Sequence, residues 1–359
     1  MTPLEQVAAA LERQDYRTAA QHLKSLYAQS PDDPWVQLYV GRVQEGTGKA
    51  IAAEKIYRTL LKSTTLPKVI TQARQGLQRL EAQEKARRQA AIAQATATPT
   101  DTSIGCLFLG PISNEQRQAA AQQFARIFQI DPYSARLMLS SRNWRLYRSG
   151  PIGELGFYGQ ELQAAGIPAR WIALESLQSL RVFRVVAFTG IGPQATVKCQ
   201  NEAGQLGLMA FQWAEVTQRV EGQLPIFESV VDIGAWGKLQ RKEQTQDYAQ
   251  ICDLHLPGRG CVLRFGDYSY QFQEDGLFSQ TASQQDFSTN RQRWNYLLKV
   301  LEPYLAHAPV AADFRAFAES CFEHAEILEA LPSHIDLFRK QETLWDPAFQ
   351  LYSGFLFQQ

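Results

Sequence analysis

Tyr16-Arg-Thr-Ala-Ala-Gln-His-Leu-Lys-Ser-Leu-Tyr-Ala-Gln-Ser-Pro31 decides the fold of the first part of the chain. Ala19, Leu23 and Leu26 recur at helical spacing, and Pro31 ends the run. Thirty-four residues after these three stand Ala53, Tyr57 and Leu60. Val40, Gly41 and Gly48 precede the second set. Small residues at fixed places let two helices approach closely, and large ones fill the gap between them. A period of this length therefore predicts stacked helical hairpins.

The pattern extends on both sides. Leu4, Val7 and Leu11 continue the helical spacing toward the N-terminus. Pro31 and Pro34 flank two aspartates and separate the hairpins. Pro67 starts a further helix with Val69, Ile70, Ala73, Leu77 and Leu80 on one face. Its second half, Glu81 to Ala95, is mostly Ala, Gln and charge, as a solvated capping helix requires. Residues 1–94 resemble the tetratricopeptide repeat: two repeats plus a capping helix. The resemblance implies an α-solenoid whose concave groove binds a protein partner. In that family the groove is lined by positions 2, 5, 9 and 12 of the first helix of a repeat. With Gly41 at position 8, these are Trp35, Leu38, Arg42 and Glu45. Trp35 offers area and Arg42 a forked donor. The carboxylate-clamping members carry Lys and Asn where Leu38 and Arg42 stand, which argues against chaperone C-terminal peptides as ligands. Two repeats make a short array, so it is expected to lean on the next domain or on a second subunit.

The remainder is predicted to be α+β and multi-domain. Ala95-Thr-Ala-Thr-Pro-Thr-Asp-Thr-Ser103 is Thr-rich and poor in large apolar groups, which predicts a linker over 95–103. Residues 104–192 alternate strand and helix and suggest a small α/β domain of ferredoxin-like type. From Thr196 the period changes to two. Residues 193–306 resemble a pleckstrin-homology-like antiparallel β barrel closed by a helix over Thr289–Leu305, with a hairpin turn at Gly266-Asp267. Ala311 to Ala330 is a further predicted helix. The tail beyond Pro332 keeps Leu337, Phe338, Leu344, Trp345, Phe349, Leu351, Tyr352, Phe355 and Phe357. So many large apolar groups predict a packed tail over 307–359 rather than a disordered one.

Chemistry is scarce in this pattern. The five histidines and five cysteines make no H-E-x-x-H, C-x-x-C or zinc spacing, and no Walker A, G-x-S-x-G or G-x-G-x-x-G is present. The expectation is a non-enzyme without catalytic residues, metal or cofactor, its thiols free in a cytoplasmic protein. Cys321 and His324 stand one helical turn apart as a helix-face coincidence. Formal charge is zero overall but uneven: residues 1–192 carry 23 Lys+Arg against 15 Asp+Glu, and residues 193–359 carry 13 against 21. The halves are expected to meet different partners or each other. Arg142, Trp144, Arg145, Tyr147 and Arg148 form a basic, aromatic stretch. As a strand it places Arg145 and Tyr147 on one face and Trp144, Leu146 and Arg148 on the other. Such a stretch fits a nucleotide or phosphate, a protein rim, or a solvated edge, with nucleic acid disfavoured. Gly237-Lys-Leu-Gln-Arg-Lys242 is a basic loop of the kind that phosphoinositide-binding barrels use. Its acidic surroundings weigh against peripheral membrane contact.

The sequence thus predicts a scaffold or adaptor that holds a protein partner in the repeat groove. The second choice is a nucleotide- or phosphate-responsive regulator using Arg142–Arg148. The overall layout also resembles cyanobacterial repeat proteins, a group that includes assembly factors of photosynthetic membrane complexes, which implies a third role of that kind.

Overall fold

The computed structural model describes residues 2–233, 239–276, 289–337 and 343–359. It separates into two units, Met1–Gln94 and Ala95–Gln359.

The first unit is five helices: α1 (Pro3–Glu12), α2 (Tyr16–Gln29), α3 (Pro34–Gly46), α4 (Ala50–Ser63) and α5 (Pro67–Ala95). Local chemistry sets their starts. Thr2 and Glu5 form a capping box on α1, Asp15 accepts from the Thr18 N–H, and Asp33 accepts from the Trp35 and Val36 N–H groups. Proline occupies the first helical position of α1 and α3. Ala19 and Ala53 are fully buried, each within its own hydrophobic cluster. Tyr57 is the centre of the second cluster. A Cβ at Gly41 would lie 2.7 Å from one edge of its ring, and a Cβ at Gly76 would lie 2.5 Å from the other. The ring therefore fits between α3 and α5 only because both positions lack a side chain. The buried residues of α5 all precede Glu81.

The second unit holds two open sheets. Strands β1 (Ile104–Leu109), β2 (Arg145–Pro151) and β3 (Ala169–Ala173) form the smaller one, in the order β2-β1-β3 and entirely antiparallel. Helices α6 (Arg117–Phe128), α7 (Pro132–Met138), α8 (Ile152–Ala164) and α9 (Leu174–Gln178) accompany it. The larger sheet contains β4 (Arg181–Ile191), β5 (Gln194–Gln200), β6 (Leu206–Gln212), β7 (Gln218–Ile233), β8 (Leu239–Leu256), β9 (Cys261–Gly266) and β10 (Val310–Ala311). Its order is β10-β7-β8-β9-β4-β5-β6. Among the described residues the remaining helices are α10 (Asn290–Leu301), α11 (Phe314–Glu319), α12 (Ala325–Glu329) and α13 (Trp345–Phe357).

Several expectations change here. A ferredoxin-like unit would keep four strands in one sheet. The stretch expected as its last strand, Val182–Thr189, lies in β4 and pairs with β5 and β9 of the larger sheet. The barrel does not close. β4 runs parallel to β9 in mid-sheet, which needs a crossover and leaves β6 and β10 as opposite ends, unpaired with each other among the described residues. No hairpin forms at Gly266-Asp267, because β8 and β4 already occupy both edges of β9. Instead Tyr270 N–H returns to the Gly266 carbonyl in a turn. The helix expected over 311–330 is broken into α11, a 3₁₀ turn at Phe322–His324, and α12. The stretch 95–103 includes a 3₁₀ turn at Pro99–Thr102. A Cβ at Gly153 of α8 would lie 1.9 Å from the Ala95 carbonyl oxygen, so that stretch approaches α8 closely.

The apolar tail becomes α13, the middle of the second unit. Ala348 to Leu356 are all buried. Phe355 packs tilted against Phe108 of β1 with ring centroids 4.4 Å apart, and Phe349 fills the space left by Gly222 of β7. The helix thus joins the inner faces of both sheets. Phe338 lies outside the described residues.

Candidate functional site

Helices α1 and α3 lie side by side and leave a hollow of about 220 Å³ between them, lined by Leu4, Glu5, Ala8, Trp35 and Tyr39. Trp35 and Tyr39 are one turn apart on α3, with ring centroids 6.2 Å apart. Both rings are half-buried, so each keeps a face toward the hollow. Arg42 follows three residues later on the same side of the helix. Its side chain is half-buried and makes no hydrogen bond or ion pair among the described residues.

The other two expected groove residues are used internally. Leu38 is fully buried against Ala53, Tyr57 and Leu60. Glu45 accepts from Arg79 Nε at 2.7 Å and Nη2 at 2.9 Å, and from the Tyr57 hydroxyl at 2.7 Å. Burial pushes the Glu45 carboxyl up, but the hydrogen bonds from Arg79 and Tyr57 outweigh it and hold it below its ordinary value. Burial and the hydrogen bond to Glu45 raise the Tyr57 phenol well above its usual range. Glu45 is therefore a half-buried anchor that ties α3 to α5 and to Tyr57. Arg79 itself stays 47% exposed. The reading from sequence missed Tyr39, although its spacing of four from Trp35 puts it on the same face.

The Arg142–Arg148 stretch does not converge on a common point. Trp144 packs on Phe355 at 5.1 Å, and Arg145 donates to the Met138 carbonyl. Tyr147 meets Phe124 and Phe128. Arg148 pairs with Glu154 at 3.0 Å and lies over the Tyr158 ring. Arg148 was expected on the face of Trp144 and Leu146, and it is not. The β1–β2 register skips Tyr147, with Leu107 opposite Arg148 and Phe108 opposite Leu146. This bulge breaks the alternation, so Leu146 faces the α13 core while Tyr147 and Arg148 both meet helices on the other side. Only Arg142 remains exposed. Of the Gly237–Lys242 stretch, Gly237 and Lys238 lie outside the described residues. Leu239, Arg241 and Lys242 pair along β8 with Ile233, Val231 and Val230.

A buried polar cluster was not foreseen at all. Asp253 of β8 receives both Nε and Nη2 of Arg264 of β9, at 2.8 and 2.7 Å. Arg264 also donates to the Ser333 carbonyl and lies over the Phe349 ring. Ser353 of α13 donates to Asp253 and contacts His255 Nε2 at 2.9 Å. The Ser353 proton is spent on the carboxylate, so the neutral imidazole donates from Nε2. Burial lowers the His255 pKa from 6.5 to about 4. Ser, His and Asp meet here, but the imidazole donates to the serine and cannot take its proton. All three are at most 1% exposed, so no substrate reaches them. The cluster fixes the position of α13.

All five cysteines are free and buried. Cys321 donates to the Phe317 carbonyl and His324 contacts Ser149, so the two do not converge. Among the described residues no helix is long and apolar enough to cross a membrane.

A sequence model of the tetratricopeptide repeat family matches residues 10–69. The N-terminal part of the chain is a tetratricopeptide-repeat region, a module whose ordinary role is protein–protein interaction. No curated protein and no solved structure matches the chain.

Proposed function

We propose that this protein is a scaffold that holds a protein partner through the groove between α1 and α3. The observation that carries the reading is the aromatic hollow formed by Trp35, Tyr39, Leu4 and Ala8 within the repeat region. Two half-buried aromatic rings beside an unpaired arginine have the composition of an interface anchor. The second unit is a separate compact unit on the same chain, which suits an adaptor that presents its captured partner.

The test is a photo-crosslinking amino acid at Ala8, with the covalently captured polypeptide identified in the full-length protein. A discrete partner is expected. The double change Trp35→Ala and Tyr39→Ala should remove it while circular dichroism keeps the helical signal. Loss of one aromatic anchor typically costs about 2 kcal/mol or more of binding, roughly thirtyfold. An unchanged crosslinked species in the folded double variant would refute the groove.

A further inference from the structure

We propose that the open edge of β7 is a second binding site, which takes an extended, basic segment of a partner polypeptide as an added strand. The site lies in the second unit and does not depend on the repeat groove.

The backbone carries the first part of the argument. β10 covers only the start of this edge, with Val310 opposite Arg219 and Ala311 opposite Val220. The chain then leaves the sheet and enters α11 at Phe314. Beyond that point the edge has no strand partner among the described residues. Two hydrogen bonds fix which backbone groups face it. The Gln250 carbonyl accepts from the Asp267 N–H, and the Gln250 N–H donates to the Asp267 carboxylate. Gln250 stands opposite Gln223 and turns both groups away from β7. In an antiparallel ladder the two members of such a pair turn away from each other, so the Gln223 N–H and C=O point to the outer edge. Backbone groups two residues apart point the same way, which adds the Pro225 C=O. These three groups have no hydrogen-bond partner among the described residues. Proline fits at 225 because the N–H it lacks would face outward.

A cleft of about 390 Å³ follows the same edge, lined by Gln223, Pro225, Phe227, Tyr248, Phe314 and Trp345 among others. Tyr248 stands opposite Pro225, whereas Phe314 meets the strand from the other side at Gly222. The cleft therefore wraps the rim of β7 and has an aromatic ring on each side. An added strand sends successive side chains to opposite faces, one toward Trp345 and the next toward Tyr248. At about 3.3 Å per residue, four or five residues run from Gln223 to Phe227.

Charge selects the occupant. Glu221 in the lining is held by Arg219 at 2.6 Å, and Arg315 faces Glu319 at 3.5 Å. Arg291, which donates to the Tyr248 carbonyl, lies between Asp247 and Asp267. Two further carboxylates adjoin the lining, Asp313 after Ala312 and Glu228 after Phe227. Both are exposed, and neither makes a side-chain hydrogen bond or ion pair among the described residues. A second copy of β7 would bring the same acids to the edge, because Glu221, Glu228 and Asp232 are its only charges from 221 to 233. A segment with large apolar residues flanked by Lys or Arg answers both the rings and the carboxylates.

The experiment pans a phage-displayed random heptapeptide library against the full-length protein and titrates the enriched peptides by fluorescence anisotropy. Those lost on Trp35→Ala with Tyr39→Ala belong to the repeat groove. The rest should share adjacent large apolar residues flanked by Lys or Arg. Gln223→Pro removes an outward N–H, as Pro225 already does two residues on, and should weaken them about tenfold with the circular dichroism unchanged. Methylating the peptide nitrogens one at a time reads the same edge without any protein variant. Every second position should cost about tenfold, and those between should be neutral. Panning against Glu228→Lys with Asp313→Lys should enrich Asp or Glu in place of the bases. No groove-independent peptide, or a methylation scan without alternation, would overturn strand addition and leave the groove reading intact. Alternating peptides without a basic preference would overturn the assigned partner. So would a wild-type dimer in light scattering that Gln223→Pro dissolves, which would place a second copy on the edge.

Discussion

His255→Gln should change how the second unit responds to acid. The imidazole is 1% exposed, and burial lowers its pKa from 6.5 to about 4, with Asp253 pulling the other way. Between those two values the unfolded chain binds a proton that the folded chain refuses. Stability from this group is therefore complete above pH 6.5 and is lost as pH falls toward 4. At 1.36 kcal/mol per pKa unit, the loss is about 3 kcal/mol. Asp267 acts in the opposite sense. Burial raises its carboxyl from 3.8 to about 6, so the folded state holds a proton that the unfolded state releases, and stability is regained as pH falls through 6. The wild-type profile alone mixes the two effects. The difference between wild type and His255→Gln isolates the histidine, because Gln keeps an amide donor near Ser353 and has no proton to gain. Urea unfolding followed by tryptophan fluorescence at pH 7, 6, 5 and 4 reads it. The wild type should be the more stable at pH 7, with its advantage shrinking by about 3 kcal/mol by pH 4. Parallel profiles across that range would show that the imidazole is not held neutral, and the hydrogen-bond assignment at Ser353 would fall with it.

Other outcomes follow from single contacts. Arg264→Met leaves the Asp253 carboxylate buried without its partner and should cost about 3–5 kcal/mol, with Asp253→Leu added to it recovering much of the loss in chemical denaturation. Gly76→Ala drives a Cβ to within 2.5 Å of the Tyr57 ring, which Gly41 blocks from the other side; it should cost about 1–3 kcal/mol, seen as faster hydrogen exchange in α3 to α5. Tyr57→Phe removes one of the hydrogen bonds to Glu45 and should lower the stability of the repeat unit by about 1 kcal/mol in thermal unfolding.

The helical repeats were legible because their contacts are local. Ala19, Ala53, Tyr57 and Pro67 announce their roles by spacing alone. The sheets were harder to read, because nothing local distinguishes a strand that continues a barrel from one that crosses into a parallel position. β4, with Val182, Phe183 and the run Val185 to Phe188, reads as an apolar strand under either topology. The C-terminal helix was read only as a packed tail, since residues 348 to 356 are apolar nearly all round and carry no amphipathic stripe. The bulge at Tyr147 is a one-residue irregularity invisible to any count of alternation, and it alone misplaced Arg148. Of the expected groove residues Trp35 lines the hollow, whereas Arg42 follows Tyr39 on α3 outside its lining. Leu38 and Glu45 share the family's position numbers but turn toward Tyr57, because the glycines at 41 and 76 bring α3 and α5 close around that ring.

The central position of α13 also bears on how quickly each unit can form. Its serine meets Asp253 across 100 residues of chain, and the neighbouring Ser320 meets Leu146 across 174. In the repeat unit the bonds that Glu45 accepts span 12 and 34 residues. Closing long loops before any contact rewards them slows folding. The two units therefore run on different clocks. The helical hairpins acquire their groove early, while the two sheets must wait for a distant helix to arrive between them. During that interval the inner sheet faces are open to solvent and to other chains. This unit, rather than the repeats, is where a chaperone would find its substrate.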